Sequence, residues 1–203
     1  MQVVWFKRDL RIDDHAPLVT ASVAGPCLCL YVYEPELIKS GEFDASHLAF
    51  INESLAELDE QIQAIGGCLI FRVGRMPDVL NRLHHEHGID ALWSHEETGN
   101  RITYDRDRRV IAWARKTSMP WHEIPQNGVV RSLESRDGWA RQRGQRLQSR
   151  LATAVTDLVG PPVPVESCGL RLPKHFELPP TQKTGLQRGG SCAAREVLHS
   201  FLE

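Results

Sequence analysis

Two polar clusters hold the side chains best suited to chemistry. The first, Lys7-Arg8-Asp9-Leu10-Arg11-Ile12-Asp13-Asp14-His15, packs three strong bases, three acids and an imidazole into nine residues. The second is Ser94-His95-Glu96-Glu97-Thr98-Gly99-Asn100. Guanidinium groups can hold an anion, and carboxylates can accept hydrogen bonds from ring nitrogens. The first cluster alone reads more simply as a salt-bridged loop with Asp14 as a helix N-cap. Both clusters follow apolar runs that read as strands, so they fall on the same edge of a sheet. Two such clusters on one rim point to a small-molecule cleft.

Competing chemistries lack their signatures. The sequence has no Gly-x-Gly-x-x-Gly, no Walker-type Gly-Lys-Ser/Thr and no Gly-x-Ser-x-Gly, so ordinary dinucleotide, P-loop and serine-hydrolase readings fail. Cys27 and Cys29 alternate along a strand and read as small core hydrophobes. His84, His85 and His87 gather near a helix end, where imidazolium favours the dipole, and they lack the His-Glu-x-x-His spacing of a metal site. The sequence thus gives no metal ligands.

The elements that must position the two clusters follow from hydrophobic patterning. Gln2 to Phe6, Pro26 to Tyr33, Cys68 to Val73, Ile89 to Trp93 and, more weakly, Trp121 to Ile124 are apolar runs without clean alternation, which suits strands covered on both faces. Between them lie helical segments. Leu48, Ile51, Leu55, Leu58, Ile62 and Ile65 recur at spacings of three and four, with Asp44 as N-cap and Gly66-Gly67 as the stop. Pro77 marks a first helical turn whose Val79, Leu80 and Leu83 face inward until Gly88. Pro17 to Ala24 is short and helix-compatible, and Thr103 is placed to cap a helix running through Trp113. Five strand–helix alternations predict an α/β fold, a Rossmann-like five-stranded parallel sheet with helices on both faces. Such sheets bind ligands beyond the carboxyl ends of their strands, which selects segments 7–15, 34–43, 74–76, 94–103 and 125–130.

Composition bounds the remaining classes. The 203 residues are 41% hydrophobic and 25% charged, enough for a globular core and too apolar for wholesale disorder. No apolar run reaches membrane-spanning length, and the N-terminus turns charged too early for a secretory signal. Five cysteines without a regular framework imply reduced thiols and a cytoplasmic location. The net charge of −2 hides a gradient: residues 1–100 carry 7 Lys and Arg against 16 Asp and Glu, whereas residues 101–150 carry 12 against 5, eleven of the bases being arginine. This block reads either as a solvated basic face or as a docking surface for phosphate or an acidic partner.

After about residue 150 the character changes. Residues 160–190 hold six of the twelve prolines and read as an extended connector rather than a core element. Ser191 to Glu203 then begins an amphipathic helix. The expected organisation is an α/β domain over 1–130, a basic and then Pro/Gly-rich connector over 131–190, and the first turns of a further helical domain over 191–203. A connector leading into an unfinished helix reads as a cut from something longer.

Val3-Val4-Trp5-Phe6-Lys7-Arg8-Asp9-Leu10-Arg11-Ile12-Asp13-Asp14-His15-Ala16-Pro17-Leu18 closely resembles the opening of the DNA photolyase/cryptochrome family: a hydrophobic strand, Arg-Asp-Leu-Arg, then Asp-Asn and a small helix. His15 stands where the family usually has Asn. Phe50-Ile51-Asn52-Glu53-Ser54-Leu55-Ala56-Glu57-Leu58 is similar to the family's Phe-Leu-x-x-Ser-Leu-x-x-Leu helix. Tyr104-Asp105-Arg106-Asp107-Arg108-Arg109-Val110 resembles its Arg-Asp-x-x-Val helix after strand four. Gly189-Gly190-Ser191-Cys192-Ala193-Ala194-Arg195-Glu196-Val197-Leu198, with Phe201-Leu202, resembles the entry to its helical domain. The likeness runs along the whole chain in order.

That resemblance implies an N-terminal α/β domain, a wrapping connector, and a C-terminal helical domain that holds FAD and the DNA-lesion pocket. In photolyases light drives electron transfer from reduced flavin to a pyrimidine dimer flipped out of the duplex; cryptochromes use a similar flavin for signalling. The chain stops where the flavin domain begins, so it is expected to bind no FAD tightly and to have no lyase activity alone. DNA becomes a partner only through the full-length protein, and no membrane is implied. The α/β domain in this family often holds a light-harvesting antenna of folate, deazaflavin or flavin type. By position the candidate antenna-binding residues are Arg11 after strand one, Glu34 after strand two, and His95, Glu96 and Glu97 after strand four. Arg11 is placed to anchor an anionic tail, and Glu34 or Glu96 to accept from ring nitrogens. The arginines of 131–141 are expected to face the helical domain or DNA phosphates. Trp5, Trp93, Trp121 and Trp113 read as core residues. The alternatives are a freestanding module for a nucleotide-like ligand, against which the dangling connector speaks, and a nucleotidyl-transferring enzyme, weakened by the missing phosphate-cradling glycines.

Overall fold

A computed structural model describes residues 1–131 and 135–203. Strand β1, Gln2–Phe6, is buried at every position, and its alternate residues feed two separate cores. Val4 and Phe6 pack with helices α1 (Ala16–Ala24) and α3 (Ala45–Ala64), whereas Val3 and Trp5 pack with α4 (Met76–His87) and α5 (Arg101–Thr117). That two-faced burial is why the strands show no polar alternation. The other strands are β2 (Cys27–Tyr33), β3 (Leu69–Val73), β4 (Ala91–His95) and β5 (Trp121–Ile124), and a single turn, α2 (Pro35–Ile38), follows β2. All pairings are parallel in the order β3-β2-β1-β4-β5. The strand order therefore reverses between β1 and β4, and the crevice beyond their carboxyl ends is the place where such sheets accept ligands.

Local chemistry explains the element boundaries and corrects three expectations. Asp44 caps α3 as anticipated, accepting from the Ser46 N–H at 2.8 Å while the Asp44 N–H donates to His47 Nδ1 at 3.1 Å. Asp14, by contrast, is not the cap of α1. It takes a left-handed φ of 47°, and the next residue, His15, caps the helix by accepting the Leu18 N–H on Nδ1 at 3.1 Å. Asn100 rather than Thr103 caps α5, through its side-chain oxygen on the Thr103 N–H at 3.1 Å. Strand β4 runs to His95, two residues beyond the apolar run, so His95 closes the strand instead of starting the loop.

The connector is not a free tether. Residues 139–147 form helix α6 (Trp139–Leu147), which the sequence reading left unassigned. Leu158 and Phe176, the latter in a short 3₁₀ turn (Pro173–Phe176), are buried in the core beside α3. Helix α7, Ser191–Leu202, docks its N-terminus on α3: the Gly189 N–H donates to Glu53 at 2.6 Å, the Gly190 N–H to Ser54 Oγ at 3.0 Å and the Cys192 N–H to Glu57 at 3.1 Å. Acidic side chains at a helix N-terminus complement its dipole. The contact needs glycine at 189, because an added Cβ would strike the Phe50 carbonyl and lie 2.7 Å from Ser54 Oγ. Gly189→Ala is expected to release α7 while the sheet stays folded. Amide exchange over 189–202 should rise about tenfold or more with the strands unchanged; unaltered protection there would contradict the docking.

The arginine block also divides. Arg106 is 5% exposed, Arg109 pairs with Glu36 at 2.7 Å, and Arg131 pairs with Glu123 at 3.0 Å. The block is therefore not one continuous basic face. Of the segment 131–141, Ser132, Leu133 and Glu134 lie outside the described residues. Among the described residues no helix is long and apolar enough to cross a membrane.

Candidate functional site

The turn after β1 folds back beneath the reversal point and buries Asp9 at 3% exposure. Its Oδ1 accepts the Lys7 N–H at 2.8 Å, and its Oδ2 accepts from His15 Nε2 at 2.8 Å and His95 Nδ1 at 2.6 Å. His15 uses Nδ1 as the acceptor that caps α1, so its proton sits on Nε2 and the ring is neutral. Burial pushes the His15 pKa below its ordinary 6.5 against the pull of Asp9. Burial would by itself raise the Asp9 carboxyl, but hydrogen bonds from the two imidazoles hold it well below the usual carboxylate range. The three residues carry donor atoms close enough to grip a metal ion. A cation on His15 Nε2 would have to displace that proton to Nδ1 and break the helix cap, so the cluster is built as a hydrogen-bond centre.

Arg106 reaches back from α5 to tie the ends of β2 and β4 together. Its Nη1 donates to Glu34 at 3.0 Å, its Nη2 to Glu97 at 3.0 Å and its Nε to Asp107 at 2.9 Å, with the guanidinium 4.6 Å from the Trp5 ring centroid. Lys7 completes the array: its Nζ lies 3.4 Å from Asp107, donates to the His95 carbonyl at 3.1 Å and sits 4.3 Å from the Trp5 ring centroid. Arg8 approaches Glu97 at 3.8 Å from the solvent side. Three cations thus face three carboxylates. Burial lowers the Lys7 pKa despite Asp107, and raises that of Glu34 despite Arg106. For Arg106 burial works against the charged form, but Glu34, Asp107 and Glu97 outweigh it and raise its pKa.

Beside this network, between the carboxyl ends of β1 and β2 and helix α3, lies a cleft of about 590 Å³. Its walls are apolar: Leu10, Val32, Leu37, Ile38, Phe43, Leu48, Phe50 and Ile51. Arg11, Arg8, Lys7 and Glu42 supply charge, and Gly190, Ser191 and Ala194 from the α7 region close one side.

The candidate residues from the sequence separate here. Arg11 and Glu34 both border the cleft, and Glu34 also accepts from Arg106 through Oε1. His95 turns towards Asp9 and a neighbouring cavity. Glu96 pairs with Arg131 at 3.5 Å and Arg146 at 3.6 Å, and Glu97 with Arg106. Neither lines the cleft. The residues that sequence reasoning did not single out are Asp9, His15 and Arg106: the first two sit in the polar cluster 7–15 and the third in the Arg-Asp-x-x-Val motif, but nothing local marks them as the buried members.

Comparison with known proteins places this geometry. The family model described as DNA photolyase matches residues 2–138. The blue-light photoreceptor PHR2 of Arabidopsis thaliana is 36% identical over 107 residues, covering 48% of this chain and 23% of that protein. Among solved structures, the bacterial class III photolyase from Agrobacterium tumefaciens superposes with a TM-score of 0.77 at 20% identity, covering 99% of this chain and 44% of the other. The archaeal photolyase from Sulfolobus tokodaii gives 0.73 at 20% identity, covering 98% and 46%. The chain spans less than half the length of these relatives. Its five parallel strands and the matched 2–138 region place it, by sequence and fold together, in the DNA photolyase family.

Proposed function

We propose that this chain is the antenna-holding α/β part of a light-driven photolyase or cryptochrome. The apolar cleft binds a planar light-absorbing cofactor of folate, deazaflavin or flavin type, and FAD and DNA are held by a helical domain that continues from α7. The observation that carries this reading is the cleft itself: about 590 Å³ of aliphatic and aromatic wall with Arg11 on its border. Pockets of this size enclose a fused-ring ligand, and one or two fixed charges orient it. Arg11 suits an anionic tail, since its guanidinium is held by the Asp13 and Asp14 carbonyls at 3.0 and 3.1 Å and by no carboxylate among the described residues. The Sulfolobus tokodaii photolyase, whose structure contains two FAD molecules and implies a novel light-harvesting cofactor, gives a precedent for a second chromophore on this fold. The domain limits 1–130, 131–190 and 191–203 belong to the same proposal.

The test is reconstitution with FMN, a deazaflavin and a reduced folate, read by near-UV and blue absorbance after gel filtration. At least one is expected to remain bound at one equivalent. Ile51→Trp, which fills the cleft from α3, should abolish retention, and Arg11→Ala should weaken it about tenfold, the loss of ~1.4 kcal/mol expected for one charge-assisted contact. A chain that retains none of the three, or an Ile51→Trp variant that binds as before, would overturn the antenna reading.

A further inference from the structure

Arg11 borders a second cavity, of about 780 Å³, on the other side of the reversal point. Its walls come from the turn into α1, the segment after β5, helix α6 and residues 149–152. It is more polar than the first cleft. Three guanidinium groups, Arg11, Arg146 and Arg150, line it against the single carboxylate of Asp14. Arg146 spends part of its charge on Glu96 at 3.6 Å. Arg11 donates only to main-chain carbonyls, and Arg150 has no ion pair among the described residues.

The floor of this cavity is His95, 3% exposed. Its Nδ1 is committed to Asp9 Oδ2 at 2.6 Å, and a carboxylate can only accept, so Nδ1 carries a proton. Its Nε2 makes no hydrogen bond among the described residues. A carboxylate-oriented imidazole with its second nitrogen unused, at the base of an arginine-lined cavity, is an arrangement with a purpose. Nε2 is open to the cavity rather than sealed in the core, so a ligand there can reach it.

We propose that this cavity is a second ligand site that receives a phosphate monoester, with His95 Nε2 and the guanidinium groups of Arg11 and Arg150 as its recognition groups. The chemistry selects phosphate over carboxylate. A phosphate monoester loses its second proton at a pH of about 6, so near neutrality it is mostly a dianion whose terminal oxygens suit several arginine forks at once, and the monoanion, with an O–H for the Nε2 lone pair, gains weight as the pH falls. A carboxylate brings one charge and two oxygens. The volume suits a mononucleotide as well as free phosphate. The site shares Arg11 with the apolar cleft, so an antenna whose anionic tail takes Arg11 leaves it Arg150 and His95.

The experiment is a titration of the full chain, labelled with ¹⁵N in its histidines, with inorganic phosphate, AMP and adenosine. Long-range ¹H–¹⁵N correlation spectra report each ring nitrogen. Phosphate and AMP are expected to shift the His95 Nε2 signal saturably, while adenosine leaves it in place. Tighter binding of AMP assigns the site to a nucleotide, and equal binding assigns it to phosphate alone; both support the proposal. Arg150→Glu, a change at an exposed position that should not disturb folding, is expected to raise the apparent Kd about tenfold or more without moving the His95 signal of the ligand-free protein. The proposal is overturned if His95 fails to respond, if adenosine shifts it equally, or if Arg150→Glu titrates like the wild type.

Discussion

Replacing Arg106 with methionine is expected to destabilise the chain by about 3–5 kcal/mol, the usual cost of removing one partner from a buried ion cluster. Methionine fills the volume but leaves Glu34, Glu97 and Asp107 without their shared donor at 3.0, 3.0 and 2.9 Å. Among the described residues the cations that remain are Lys7, 3.4 Å from Asp107, and the exposed Arg8, 3.8 Å from Glu97, and neither reaches Glu34. The pH dependence distinguishes this cause from simple loss of packing. Burial raises the Glu34 pKa and Arg106 opposes that rise, so in the variant lowering the pH protonates Glu34 in the folded state and narrows the gap to the wild type. A second substitution, Glu34→Gln, removes one stranded charge and should recover part of the loss. Urea unfolding followed by tryptophan fluorescence measures both, because Trp5 lies against the guanidinium. A variant within ~1 kcal/mol of wild type at neutral pH would mean that the cluster is solvated like a surface ion pair.

Asp9→Asn is expected to cost about 2–4 kcal/mol, from buried donors left unpaired. Three N–H groups, from Lys7, His15 and His95, converge on the two carboxylate oxygens. Asparagine presents one oxygen and an amide that itself donates, so at least one pair of donors must face each other. The same centre sets the acid stability of the wild type. His15 has a folded pKa below 6.5, so as the pH falls past 6.5 the unfolded chain takes up a proton that the folded ring refuses, and stability declines. The depressed Asp9 pKa adds a second decline below its ordinary 3.8. Both contributions are fully present above those ordinary values and lost as the pH falls. His15→Asn keeps a side chain able to cap α1 and removes the first decline. Its stability should be flatter than that of the wild type between about pH 6.5 and 5, as read from urea midpoints. An identical slope in the two proteins would contradict the assignment of that decline to His15.

The strands and the long α3 were legible because their signal is local: a period of apolar residues, a capping aspartate and a glycine stop. The candidate site was legible only in part. Arg11 was found because the sheet rule points to the loop after β1, and its side chain does border a cleft. Glu34 and Glu97 were placed at the correct edge, but their pairing with Arg106, 72 and 9 residues away, was not foreseen. No local pattern announces which arginine of a basic helix turns inward. His95 was displaced by two residues because a strand can extend beyond its apolar run when the next side chains find buried polar partners, here Asp9 for His95 and Trp121 Nε1 for Ser94 at 3.1 Å. The connector misled for a related reason. Its prolines correctly exclude long helices over 160–190, but single apolar anchors such as Phe176, 4% exposed, bury themselves without any periodicity.

The cleft as a chromophore pocket is tested most directly by methyl NMR of the full chain during titration with the cofactor it retains best. The expected result is a saturable shift of the Ile38, Leu48 and Ile51 methyls, which line that cleft, with the distant methyls of Val79 and Leu83 on the opposite face of the sheet unmoved. Ile38, Leu48 and Ile51 methyls that stay in place, or shifts spread over both faces of the sheet, would contradict the account.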